Sequence, residues 1–144
     1  ISFRNSSVIG KQESEYDPHT IGVLGELAWS KYSGQEIDSN IYSVRDSGED
    51  FPRTEVKSIT YTGKGEPELK IKKTEYESRK PPALYVLVQI NKKYLNKAQI
   101  LGTISRASFD ELKKEKQYGK NMPINYIVPL SVMGKPVNED KLFL

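Results

Sequence analysis

The chain has 144 residues with no cysteine and a single histidine, His19, which excludes a disulfide framework or thiolate zinc site and leaves too few imidazoles for a histidine zinc centre or a serine triad. Its 22 basic and 19 acidic residues leave a formal charge of only +3, so any chemistry is carboxylate and lysine chemistry, and clustering of charge says more than its total. No apolar run approaches the roughly 20 residues of a membrane span and none resembles a secretory leader, so a soluble cytoplasmic protein, or one inside a virus-infected host cell, is expected.

At this length one domain with one core is expected. Residues 1–16 are polar and without sustained periodicity, and read as an N-terminal arm; residues 17–144 read as the single domain. Asp17 can cap a helix whose first position is Pro18, where a missing N–H costs nothing. Ile21, Leu24, Ala28 and Tyr32 then recur at helical spacing, and Gly34 is a natural stop. Glu26 lies opposite that stripe, but its neighbours three and four positions away include Gly22, Val23 and Trp29, a face apolar enough to shelter a carboxylate or aim it into a cleft.

Ile37 to Arg45 reads as a strand, Asp46-Ser47-Gly48 as a turn, and Arg53 to Tyr61 as the next strand, because Pro52 fits only a strand start or an edge. Leu69 and Ile71 alternate with Glu68, Lys70 and Lys72 in a half-buried strand, and Thr74 is placed to cap a short helix through Arg79. Ala83 to Ile90 is a continuous apolar run rich in Val and Tyr, which predicts a strand buried on both faces at the sheet centre. Gln99 to Ser105 is another strand, Ser108 to Glu111 has the form of a capping box opening a helix to about Lys116, and Asn125 to Leu130 reads as an edge strand because it contains Pro129. The apolar tail Leu142-Phe143-Leu144 is expected to dock back onto the domain.

The stretch from Asp46 to Thr60 carries the chemistry. In a strand, residues two apart share a face, so Glu55 and Lys57 project together while Val56 points away. Carboxylates gathered at one place repel each other, a cost that a divalent cation removes, and a lysine beside them can hold a nucleophilic water or balance a phosphate's charge. The bland alternative is a surface Glu–Lys neighbourhood worth a few tenths of a kcal/mol. Lys70, Lys72 and Lys73 follow this strand and are candidates for gripping a nucleic-acid backbone. Ser58 and Thr60, on the same strand, are candidates for touching a phosphate.

In order, a helix bearing Gly25-Glu26, then Gly48-Glu49-Asp50, then Glu55-Val56-Lys57 on a strand, then a buried strand from Leu84 to Ile90, resembles the PD-(D/E)XK, or restriction-endonuclease-like, nuclease superfamily over residues 17 to 115. The resemblance implies an α/β fold with a mixed central β-sheet flanked by helices. It also implies cleavage of DNA phosphodiester bonds with Mg²⁺ or Mn²⁺, most simply as an endonuclease, alone or as a homodimer or larger nuclease assembly. By that resemblance Asp50, Glu55 and Glu26 are metal ligands and Lys57 is the catalytic lysine. Glu49 stands where the family has a proline before its aspartate, so Asp46 competes with Asp50 for that role. A non-catalytic nucleic-acid-binding or assembly domain on the same fold, or an exonuclease or RNA-directed nuclease, is the alternative.

Overall fold

Asp17 opens the first helix as its sequence requires. Its side chain accepts a hydrogen bond from the His19 N–H at 3.3 Å, Pro18 takes the first helical position, and α1 runs over Pro18–Ser33. Gly34 ends it in the left-handed conformation at φ 80°, with its N–H donating to Ser30 O at 2.9 Å, the stop for which glycine is suited. The computed structural model describes residues 17–34, 54–61, 63–78, 80, 82–136 and 142–144. The strand expected at 37–45, the turn at 46–48, the arm over 1–16, Asp46, Asp50 and Arg79 lie outside these described residues.

The remaining elements are β1 (Thr54–Ile59), β2 (Glu68–Lys72), α2 (Lys73–Ser78), β3 (Leu84–Ile90), β4 (Lys97–Ser105), α3 (Arg106–Leu112), β5 (Lys114–Gln117), β6 (Ile124–Pro129), a 3₁₀ turn (Leu130–Val132) and β7 (Leu142–Phe143). The chain is a small α/β protein, but among the described residues the strands form two sheets rather than a single central one. One is four-stranded and mixed, in the order β1-β3-β4-β7; the other is three-stranded, in the order β2-β6-β5. β1 and β3 are parallel, while β3–β4, β4–β7, β2–β6 and β5–β6 are antiparallel.

Strand alternation sorts the apolar residues into two cores. Val56, Val86, Val88, Ile90, Ala98 and Ile100 pack with Ile21, Ala28 and Trp29 of α1. On the other face of the same sheet Tyr85, Leu87 and Ile104 pack with Leu69, Ile71 and Val128 of the three-stranded sheet and with Phe109 of α3. β3 therefore feeds both cores, which is why it reads as unbroken apolar sequence. β4 instead alternates throughout, with Ala98, Ile100, Gly102 and Ile104 buried, yet Ile100 belongs to one core and Ile104 to the other. A register shift explains this: Leu87 pairs with Gly102 but Val88 with Ile100. The extra residue, Leu101, turns the strand over between its two buried pairs.

Three expected elements differ. The short helix α2 begins at Lys73, so Thr74 lies inside it instead of capping it. The charged segment after Ser108 is not one helix: Ser105 is the cap, accepting from Ser108 N at 3.1 Å, and α3 ends at Leu112. Lys113 is extended, and residues 114–117 pair with β6 instead of continuing the helix. The segment expected at a sheet edge, β6, is the middle strand of its sheet. Pro129 is tolerated because it is the last residue of the strand, opposite Glu68 at the start of β2. Among the described residues no helix is long and apolar enough to cross a membrane.

Candidate active site

β1 starts buried: Thr54, Glu55 and Val56 are each largely shielded, and Glu55 retains only 5 % exposure. Val56 fills the α1-side core, so Glu55 and Lys57 face the other way, toward the three-stranded sheet and α2. The expected pairing is present, with Lys57 Nζ 2.9 Å from Glu55 Oε2. A second carboxylate joins it from α2: Lys57 Nζ donates a hydrogen bond to Glu75 Oε2, also at 2.9 Å. The Lys57–Glu55 contact is close in charge but not aligned as a hydrogen bond, so Glu55 Oε2 is buried without a hydrogen-bond partner.

Burial pushes the Glu55 carboxyl up to about 7, with Lys57 opposing the shift and the nearby Glu75 adding to it. Burial works to lower the Lys57 ammonium, but the attraction of Glu55 and Glu75 outweighs it and the net shift is upward. A buried acid that titrates near neutrality beside a charged lysine is a pattern concentrated at functional sites.

Glu55 and Glu75 line a small cleft together with Ile71, Tyr76, Tyr85 and Arg106, and with Lys80 and Pro82. The parallel register sets Tyr85 directly beside Glu55. Arg106, the first residue of α3, stacks its guanidinium 4.1 Å from the Tyr76 ring centre and donates from Nε to the Tyr76 hydroxyl at 2.8 Å. The hydroxyl donates in turn to Asp110 Oδ1 at 2.6 Å. The Arg106 guanidinium also lies near the Tyr85 hydroxyl, while its Nη1 is buried without a partner. Burial raises both phenols above their usual range, and Asp110 reinforces the shift at Tyr76.

The structure brings Glu55 and Lys57 together and distributes the other expected site residues. Glu26 is buried at 7 % exposure on α1, which covers the opposite face of the four-stranded sheet, and it does not line the cleft. Asp50 and its rival Asp46 lie outside the described residues. Lys70 and Lys72 alternate with the buried Leu69 and Ile71 and are exposed on the far side of the three-stranded sheet, whereas Lys73 opens α2 and pairs with Glu115 at 3.0 Å. Ser58 faces α1, where its Oγ abuts Gly25, and not the cleft. His19 is in the exposed first turn of α1.

Sequence reasoning missed Glu75, Tyr85 and Arg106. Tyr85 is an apolar-run residue until the β1–β3 register is known, and Glu75 and Arg106 belong to short helices whose faces carry no periodic signal. Among the described residues no group of three or more His, Asp or Glu side chains converges as a metal site. The donor chemistry nonetheless suits a hard divalent cation, since the cleft holds carboxylate oxygens and one of them, Glu55 Oε2, lacks a hydrogen bond. Comparison with protein-family models, with curated proteins and with solved structures returned no match to the chain.

Proposed function

We propose that this chain is a Mg²⁺- or Mn²⁺-dependent nuclease that hydrolyses phosphodiester bonds of DNA, acting as an endonuclease. The observation that carries the reading is the buried Glu55 carboxylate with Lys57 Nζ 2.9 Å away and Glu75 on the same lysine, lining one cleft. The ion would be held by Glu55 and Glu75, completed by Asp50 or Asp46 from the chain preceding β1. Glu26, on α1, is not among the residues that line the cleft. A divalent ion supplies Lewis-acid polarisation of a phosphate and lowers the pKa of bound water.

The protein's own groups account for the rest. Lys57 is placed to hold an attacking water or to meet the negative charge that develops on the phosphoryl oxygens. Arg106 lines the same cleft, and its guanidinium would bring positive charge toward a non-bridging phosphate oxygen. Tyr76 holds that guanidinium in place by stacking and by a hydrogen bond from Nε.

One observation favours a second reading, a nucleic-acid-binding or assembly domain without catalysis: Lys57 already compensates both Glu55 and Glu75, an ion triad complete without a metal. Incubating supercoiled plasmid with Mg²⁺ or Mn²⁺ separates the two. The nuclease reading expects nicking that disappears in Glu55→Ala and Lys57→Ala; DNA binding with no nicking in either metal establishes the second.

A further inference from the structure

The three-stranded sheet has two faces of opposite character. Leu69, Ile71 and Val128 turn inward into the core shared with Tyr85 and Leu87, and Ile71 lines the cleft. The outward face is set by the residues that alternate with them. Lys70 lies opposite Ile127 and Lys72 opposite Asn125 on β6, and the same Ile127 and Asn125 lie opposite Lys114 and Lys116 on β5. Directly opposed residues in an antiparallel pair share a face. The four lysines therefore stem from the corners of a rectangle of backbone positions on one face of the twisted sheet, with the half-buried Ile127 and Asn125 along its midline.

From the spacing of strands and residues, that rectangle measures roughly 10 Å across the strands and about 7 Å along them. All four lysines are exposed. Tyr118, 42 % exposed, lies against two of them, with Lys70 Nζ 4.4 Å and Lys116 Nζ 4.7 Å from its ring centre. Its hydroxyl donates to Glu68 Oε1 at 2.7 Å, and Glu68 Oε2 is 3.5 Å from Lys116 Nζ. Glu68 is the acidic residue within this pattern; it fixes Tyr118 and compensates part of one lysine's charge.

We propose that this outward face is a tethering surface for the phosphate backbone of duplex DNA, separate from the cleft. The face carries four lysines, one of them partly compensated by Glu68, and its charge is complementary to a duplex that presents one negative charge per roughly 1.7 Å of axis. Tyr118 is tied to Glu68 by its hydroxyl and flanked by Lys70 and Lys116, a single ring that does not make a base-stacking platform for single strands. The amide on this face, Asn125, donates back to Pro123 O at 3.3 Å, and ammonium groups act as point charges, so the face suits phosphates rather than base edges. The inference takes duplex DNA as the polyanion from the nuclease reading, but it requires no catalysis. The three-stranded sheet lies between this face and the cleft, so DNA held here is held away from the bond being cut.

The test is fluorescence anisotropy of a labelled random-sequence DNA duplex against the full chain over a series of salt concentrations, alongside plasmid nicking. Four phosphate contacts predict a slope of log K against log[salt] of about −3.6 from this face. Lys70→Gln with Lys114→Gln should reduce the slope by about 1.8, and the fourfold Lys→Gln variant should remove about 3.6 of it and weaken binding at least tenfold at moderate salt. A fourfold Lys→Arg variant should retain both affinity and slope, which guards against a trivial folding defect. Glu55→Gln should abolish nicking yet leave the slope intact, so loss of the nuclease reading and loss of the tether are told apart. An unchanged slope and affinity in the fourfold Gln variant overturns the proposal. So does binding of this face to vesicles of anionic phospholipid, lost in the same variant, with no binding to DNA.

Discussion

Glu75, on a helix that follows β2, accepts a 2.9 Å hydrogen bond from Lys57 on β1, joining the two sheets by a polar link at the point where the cleft opens. Lys57 is then the only cation in direct contact with both carboxylates among the described residues. Lys57→Met should leave Glu55 and Glu75 facing each other and cost about 2 kcal/mol in urea unfolding at pH 8. That is below the roughly 3–5 kcal/mol of a fully buried pair, because the lysine side chain keeps 28 % exposure. The cost should shrink at pH 5, where Glu55 takes up a proton and the repulsion lapses. The double variant Glu55→Gln, Lys57→Met should recover most of the lost stability; equal losses in the single and double variants would show that the lysine stem's packing, not its charge, is what matters.

Glu55 also sets a pH dependence for the metal-free protein. Its carboxyl is raised from an ordinary value of 4.5 to about 7 in the folded state, so between those values the folded chain binds the extra proton. Stability from this group is fully present below pH 4.5 and is lost as pH climbs through 7, a total of about 3 kcal/mol. Chemical denaturation from pH 5 to 8 should show that decline, and Glu55→Gln should flatten it. Mg²⁺ should counter the decline at pH 8 in the native chain and not in Glu55→Gln, because a ligand bound only to the folded, ionised site stabilises by mass action. Equal effects of Mg²⁺ on both proteins would remove Glu55 from any metal site.

Helix α1 touches β1 most closely at Gly25, where an added Cβ would come within 1.7 Å of Ser58 Oγ and 3.0 Å of Ser58 Cβ. Gly25→Ala should therefore destabilise by roughly 2 kcal/mol despite its better helix propensity. Gly22, on the same helix with no atom within 4 Å of its added Cβ, is the control: Gly22→Ala should stabilise by roughly 0.5–1 kcal/mol. Ser58 Oγ is buried without a hydrogen bond, so Ser58→Ala should be neutral or stabilising. It should also offset part of the Gly25→Ala cost, measured as a coupling in thermal unfolding.

Local structure was legible where a single residue type decides the backbone. Asp17, Pro18 and Gly34 bracket α1 as read, and the apolar run from Leu84 to Ile90 is the strand buried on both faces. The Glu55–Lys57 pairing was legible because strand alternation depends only on local geometry. The split into two sheets was not, since β2 and β6 meet across more than fifty residues and nothing local in either names its partner. The Leu101 bulge was not legible either, because Ile100 and Leu101 are adjacent apolar residues and nothing local says which core each enters. Pro129 misled for the same reason: proline excludes a strand interior, and the end of a central strand satisfies it as well as an edge does. Glu75 and Arg106 reach the cleft only through tertiary placement.

Arg106 gives the sharpest separation of chemistry from stability. Its Nε and its contact with Tyr85 hold the tyrosines that wall the cleft, while Nη1 is buried and unpaired. Tyr85→Phe removes a hydroxyl beside the Arg106 guanidinium, so it should cost no more than about 1 kcal/mol and leave the guanidinium in place over Tyr76. Arg106→Lys keeps the positive charge but loses the planar fork and its stacking. If Nη1 meets a phosphate oxygen, Arg106→Lys should lower the single-turnover nicking rate by roughly 10²-fold, the scale of losing one oriented donor to a developing charge, while Tyr85→Phe, at similar stability, should keep most of that rate. Duplex affinity measured by anisotropy should be unchanged in both, because the tethering lysines lie on the other side of the three-stranded sheet. Matching losses of nicking in the two variants would assign Arg106 to the wall of the cleft and leave the charge on the phosphate to Lys57.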